Sequence, residues 1–159
     1  MRESRIRQRI LGDHDLLRGL LEEVERQASR VYEEAGAGVA VLRALGLQLL
    51  TQFSDHLALE DRVLAPALRG AGPIGRERVE QLAADHREQR VLIEYILGGL
   101  RDQSRPAAVL SDELHGLVEL LLEDMAQEEL TILERRLLED PGPLKAPSPH
   151  SLRARGVGR

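Results

Sequence analysis

The 159-residue chain has no cysteine and no tryptophan, and Tyr32, Phe53 and Tyr95 are its only aromatic residues. Without cysteine there is no disulfide frame, no thiolate nucleophile and no zinc finger, so any metal site must be made of histidine and carboxylates. So few rings leave no stacking platform for bases. The 27 acidic side chains outnumber the 22 basic ones, for a formal net charge of -5, which supplies no broad electrostatic reason to bind nucleic acid. No apolar run approaches the roughly 20 residues of a membrane span. Asp13, His14 and Asp15 stand where a secretory signal would need its apolar core. A cytoplasmic protein with neither a nucleic-acid nor a membrane partner is expected. The length suits one compact domain rather than a two-domain enzyme.

What the chain has in quantity is helix-forming sequence. Breakers fall at Ala35 to Gly38, at Gly70 to Gly75 around Pro73, at Ser104 to Pro106, and at Asp140-Pro141-Gly142-Pro143. Between them lie four long segments rich in Leu, Glu, Arg, Gln and Ala, residues that lose little side-chain freedom in a helix, with no period-two runs of β-branched residues. Short joins between long helices make neighbours antiparallel. The expected fold is therefore all-α, an up-down-up-down antiparallel four-helix bundle over residues 1-139. Residues 140-159 carry Pro141, Pro143, Pro147 and Pro149, and Lys145, Arg153, Arg155 and Arg159 against Asp140, and are expected to form a disordered, solvated, basic C-terminal tail.

Polar residues interrupt the apolar stripes at matching heights. On the first segment Ile10, Leu17, Leu21, Val24, Ala28 and Val31 recur in steps of three and four, and His14 fills the missing place. The second runs Leu42, Gly46, Leu49, Phe53, His56, Glu60, Val63, Ala67, so a His and a Glu one turn apart face inward. The third stripe is Val79, Ala83, His86, Arg90, Ile93, Leu97, Leu100. On the fourth, Leu114, Leu117, Val118, Leu121, Met125 and Ile132 enclose Glu128, with Asp124 nearer the edge of the arc. Counted at about 1.5 Å per residue from each shared turn, these groups arrive at one layer. One inward His is ordinarily a satisfied core residue. Three imidazoles and two or three carboxylates desolvated together are costly unless a cation neutralises the acids and takes the lone pairs. Three His and three acids suit a pair of first-row ions; N and O donors favour iron or manganese, with zinc allowed by affinity. His115 is expected at the surface, Asp61 and Glu129 at the rim or paired with surface cations, and Tyr95 away from the layer.

The pattern resembles the hemerythrin-like, or HHE cation-binding, family of four-helix bundles. It is carried by Gly12-Asp13-His14, by His56-Leu57-Ala58-Leu59-Glu60-Asp61 with Leu64-Ala65-Pro66 behind it, and by Asp85-His86-Arg87. The fourth segment departs from the family, placing Asp124 in Asp124-Met125-Ala126-Gln127-Glu128-Glu129 where a His is usual. The resemblance implies Glu60 and Glu128 as bridging carboxylates, His14 and His56 on one ion, and His86 with Asp124 on the other. The shorter Asp124 implies a second ion held weakly or through water. Classical hemerythrins place a further His where this chain has Arg90. A guanidinium cannot ligate a cation; Arg90 is expected to pair with Asp124 or Glu128, holding a carboxylate, or else to replace one ion.

These residues lead to an expected non-haem, di-iron protein that binds or senses dioxygen, nitric oxide or peroxide, or handles iron. Two alternatives stay open. One is a peroxide-consuming or ferroxidase-like enzyme, for which no general acid or substrate pocket is evident. The other is a metal-free or mononuclear bundle acting as an interaction module, its core held by Arg90 against Asp124 and Glu128.

Overall fold

The computed structural model describes residues 4-133 and residue 138, and among these there is no strand. The tail expected at 140-159, with His150, lies outside the described residues. The helices are α1 (Arg5–Glu33), α2 (Val39–Leu59), α3 (Ala65–Gly70), α4 (Gly72–Arg101) and α5 (Ala107–Thr131), with a π-helical turn, Glu60–Leu64, between α2 and α3. Cross-helix bonds pair the start of one long helix with the end of the next. Asp13 meets His56, and Gln27 meets Gly38. Glu60 meets His86 while Arg43 meets Leu100, and His14 meets Glu129 while Ser111 meets Ala28. These contacts are compatible with an up-down-up-down bundle.

The turn after α1 ends on a backbone that side-chain-bearing residues resist: Gly36 has φ 91 and Gly38 φ 77, with the Gly36 N–H donating to the Val31 carbonyl at 2.8 Å. The second turn is shorter than the breakers at Gly70 to Gly75 predict. Only Ala71 lies outside the helices, because Pro73 sits in the first turn of α4, where a missing N–H costs nothing. Gly75 lets α3 and α4 approach: a Cβ there would stand 1.9 Å from the Leu68 carbonyl oxygen.

The π-helical turn corrects the expected stripe of the second segment. Pro66 cannot donate to the carbonyl one turn back, and its ring crowds that position. The helix instead widens, and the Ala65 N–H reaches five residues back to the Glu60 carbonyl. The extra residue rotates everything beyond it, so Leu64 and Leu68 are buried, while the expected Val63 and Ala67 are only partly so. After Glu128 the same widening begins, its carbonyl accepting from both Ile132 and Leu133 at 2.9 Å.

The core falls into two apolar clusters. One gathers Leu17, Leu21, Phe53, Leu57, Ile93, Leu121 and Met125 with the rest of the long helices, and the other Ile10, Leu64, Leu68, Leu82 and Ile132. On every long helix the inward polar group lies between them: His14 between Ile10 and Leu17, Glu60 between Leu57 and Leu64, His86 between Leu82 and Ile93, Glu128 between Met125 and Ile132. The equal counting of levels along the sequence thus corresponds to one polar layer between the two apolar clusters.

A buried cation anchors the far end. Arg43 donates to the carbonyls of Gly99 (3.2 Å), Leu100 (2.7 Å) and Arg105 (3.3 Å). It thereby satisfies the last acceptors of α4, where the helix dipole favours positive charge. Arg43→Leu keeps the apolar stem but strands those carbonyls, and is expected to destabilise the fold by about 2 kcal/mol. An unchanged urea midpoint would show that water replaces the guanidinium at no cost.

Candidate metal centre

His14 comes from α1, His56 from α2, Glu60 from the first position of the π-helical turn and Glu128 from the last turn of α5. Each offers one ligand atom, and these four atoms all lie within 4.8 Å of one another. Their relative exposures are 0 %, 2 %, 1 % and 6 %, so bulk water does not solvate them. His86 of α4, equally buried, adjoins the group through Glu60: His86 Nε2 lies 3.1 Å from Glu60 Oε2.

Every one of the three imidazoles has its Nδ1 tied to a carboxylate on a different element. Asp13 Oδ2 accepts from His56 at 2.8 Å, Asp61 Oδ1 from His86 at 2.8 Å, and Glu129 Oε1 from His14 at 2.9 Å. With the Nδ1 proton committed there, each Nε2 presents its lone pair inward. His14 Nε2 then stands 3.4 Å from Glu128 Oε2, and His56 Nε2 3.6 Å from Glu60 Oε1. Neither contact is a hydrogen bond, and His14 Nε2 and Glu60 Oε1 are buried with no hydrogen-bond partner among the described residues. Two unpartnered polar atoms inside a buried cluster of two imidazoles and two carboxylates is an arrangement that a cation satisfies. The donor set therefore fits a first-row metal ion.

Electrostatics carry the same strain. Burial, reinforced by the neighbouring charge of Glu128, holds the Glu60 carboxyl well above the usual carboxylate range. Burial lowers His56, and the charge of His14 lowers it further. On His14 burial also acts downward, but Glu128 and Glu129 outweigh it and the net shift is upward. The outer carboxylates behave oppositely. Burial of Asp61 is overcome by hydrogen bonds from Arg90 and His86, and that of Glu129 by bonds from His14 and Arg18, so both stay below their ordinary values.

The remaining expected residues are placed differently. Asp124 does not join the four: its Oδ2 accepts from Gln89 Nε2 at 2.5 Å, and burial together with the charge of Glu128 pushes its carboxyl up to about 6. Arg90 pairs with neither Asp124 nor Glu128, contrary to expectation. It points outward and donates to Asp61 Oδ2 at 2.6 Å, bracing the carboxylate that holds His86. The inward residue at this height of α4 is Gln89, three rather than four positions after His86. The core pairing on which the metal-free alternative relied is absent among the described residues. Asp61 and Glu129 do pair with surface cations, Arg90 and Arg18, but they also orient histidines. Neither that role nor Asp13's was legible in the sequence, although each of the three is the immediate chain neighbour of an inward donor. His115 lies half out of the surface against Glu25, and Tyr95 bonds to Glu113 away from the layer, both as expected.

The family model described as Hemerythrin HHE cation binding domain matches residues 5-135. No curated protein and no solved structure matches the chain.

Proposed function

The chain belongs to the hemerythrin HHE cation-binding domain family, and from that premise we propose that it is a cytoplasmic non-haem iron protein that binds or senses dioxygen, nitric oxide or peroxide, or handles iron. Its functional unit is an up-down-up-down bundle reaching to residue 139, with 140-159 as a tail. His14, His56, Glu60 and Glu128 hold the first ion. His86 and Asp124 are the donors available to a second, sharing Glu60 and Glu128, and this second position is the weaker of the two. Iron is the preferred metal; manganese and zinc suit the same N and O donors.

The single observation that carries this reading is the pair of orphaned acceptors, His14 Nε2 and Glu60 Oε1, inside a layer whose histidines are already oriented from behind. Bound iron would supply an open coordination position for a small ligand. The chain supplies the rest. Asp13, Asp61 and Glu129 fix the ring orientations and the Nδ1 protons, and raise the basicity of each Nε2. The two apolar clusters close the layer above and below, so that charge at Glu60 and Glu128 acts in a poorly screened interior. A set this rich in carboxylate favours the oxidised metal, which argues for sensing or iron handling over reversible oxygen carriage.

Protein purified without an affinity tag is expected to contain between one and two equivalents of iron per chain, with a visible absorption band. Absence of metal together with failure to take up ferrous iron under argon would overturn the proposal. A band that bleaches and returns on cycling vacuum and air would overturn the preference for oxidised metal.

A further inference from the structure

The formal net charge of -5 is not spread evenly over the bundle. Residues 4-12 and 62-84, which build the end around the smaller apolar cluster, carry seven arginines and only two carboxylates, Glu77 and Glu80. Residues 13-61 and 85-133 carry eight arginines against twenty-one carboxylates. In that acidic part Arg18, Arg30, Arg90 and Arg105 each meet a carboxylate. At the basic end Arg5, Arg9, Arg62, Arg69 and Arg76 are exposed, and none has an ion-pair partner among the described residues. Helix N-termini favour acids, yet neither α1 nor α4 has one in its first turn, and α1 begins with Arg5 and Arg7. Cations gathered against the helix dipole are answered by anions from outside the chain. Ile74, in the first turn of α4, is 59 % exposed, and it is the one large apolar side chain that stands exposed on these two segments. Leu138 packs in the same smaller cluster, so the chain passes at this end into residues 139-159, where Lys145, Arg153, Arg155 and Arg159 stand against Glu139 and Asp140.

We propose that this end of the bundle docks on an anionic lipid surface, with Arg62, Arg69 and Arg76 over the headgroups and Ile74 entering the interface. Basic side chains near an anionic leaflet, with an apolar one among them, supply the two contributions that hold a peripheral protein to a membrane. The acidic remainder of the body is repelled by the same surface, so the bundle stands on its basic end. A nucleic acid is the poorer fit, because none of Tyr32, Phe53 and Tyr95 lies on these segments to stack a base. The inference is independent of metal in the histidine layer.

The test mixes the full chain with vesicles of phosphatidylcholine alone or with about one third phosphatidylserine, and reads the bound fraction by sedimentation. Binding is expected only where phosphatidylserine is present, and it should weaken as salt rises. Arg69→Gln with Arg76→Gln should weaken it by about tenfold or more, since each cation near the leaflet is worth about fivefold. Ile74→Ser should weaken it several-fold with the charge unchanged. All three positions are exposed, so the fold tolerates these changes, and far-UV circular dichroism checks that it does. Arg26→Gln with Arg101→Gln, an equal change of charge on the acidic part, should leave binding as it was. No binding, equal binding to both vesicles, or equal loss from the two pairs of substitutions overturns the proposal. So does tighter binding to duplex DNA than to the anionic vesicles at the same salt, and an unchanged affinity in Ile74→Ser overturns the insertion of Ile74.

Discussion

Glu60→Gln is expected to lower metal affinity by about 100-fold or more while leaving the metal-free fold at least as stable as the wild type. The two halves of this result have one cause. Glu60 is the acid that sits between His56 and His86, and its Oε1 has no hydrogen-bond partner among the described residues. Because His86 Nδ1 donates to Asp61, His86 Nε2 is an acceptor, and the 3.1 Å contact with Glu60 Oε2 needs a proton on the carboxyl when no metal is present. The upward shift of the Glu60 carboxyl, from burial and from Glu128, says the same. A glutamine amide can make that donation without charge, so the metal-free variant keeps the contact. It loses the anionic donor that a cation requires.

The pH dependence follows in sign. In metal-free wild-type protein the folded state retains a proton at Glu60 that the unfolded chain releases near the ordinary carboxylate value. Stability therefore falls as pH rises between that value and the raised folded one. The Glu60→Gln variant lacks this contribution to the slope, because its amide does not titrate. Urea unfolding in chelator from about pH 5 to pH 7 should show the variant gaining on the wild type as pH increases. A variant that loses ground with rising pH, or that binds iron as tightly as the wild type, would refute the assignment of Glu60.

The second large effect concerns the metal itself. Stripping the wild-type protein with chelator should lower its melting temperature on the order of 10 °C, and restoring Fe²⁺ or Zn²⁺ should recover it. A ligand at a thousand times its Kd stabilises the folded state by about 4 kcal/mol, and the donors come from α1, α2, α5 and the π-helical turn, so one ion ties these elements to one another. In the metal-free state His14 Nε2 and Glu60 Oε1 have no hydrogen-bond partner among the described residues. A melting temperature indifferent to chelator would mean the layer is stable without a cation, as the interaction-module alternative requires.

Most of the candidate layer was legible from periodicity alone, and the failures have definite causes. His14 and His56 lie on regular α-helix and Glu60 one turn after His56, before the π-helical turn has shifted the register, so a three-four rhythm identifies the buried face. Past Glu60 the rhythm misled by one residue, because Pro66 forces a wider turn that no constant angle per residue anticipates. At the next helix Gln89 and Arg90 both fall near the inward arc, three and four positions after His86. The helix turns the neutral amide in and the guanidinium out, since a buried unpaired cation is the costlier choice.

Sequence by itself determined that the chain is helical, where the turns between its long helices fall to within a few residues, and that three imidazoles and at least two acids meet at one height. These are consequences of local propensity and of spacing along single helices. Only the tertiary structure decided which acid stands behind which histidine. Asp13 serves a ring on α2, Asp61 a ring on α4, and Glu129 a ring on α1, and each pairing depends on which helices are neighbours and how they are rotated. The same rotation took Asp124 to Gln89 and Arg90 to Asp61, leaving both outside the four converging donors. Helical periodicity is a property of a segment, whereas the orientation of a ring nitrogen is set by a partner from elsewhere in the chain.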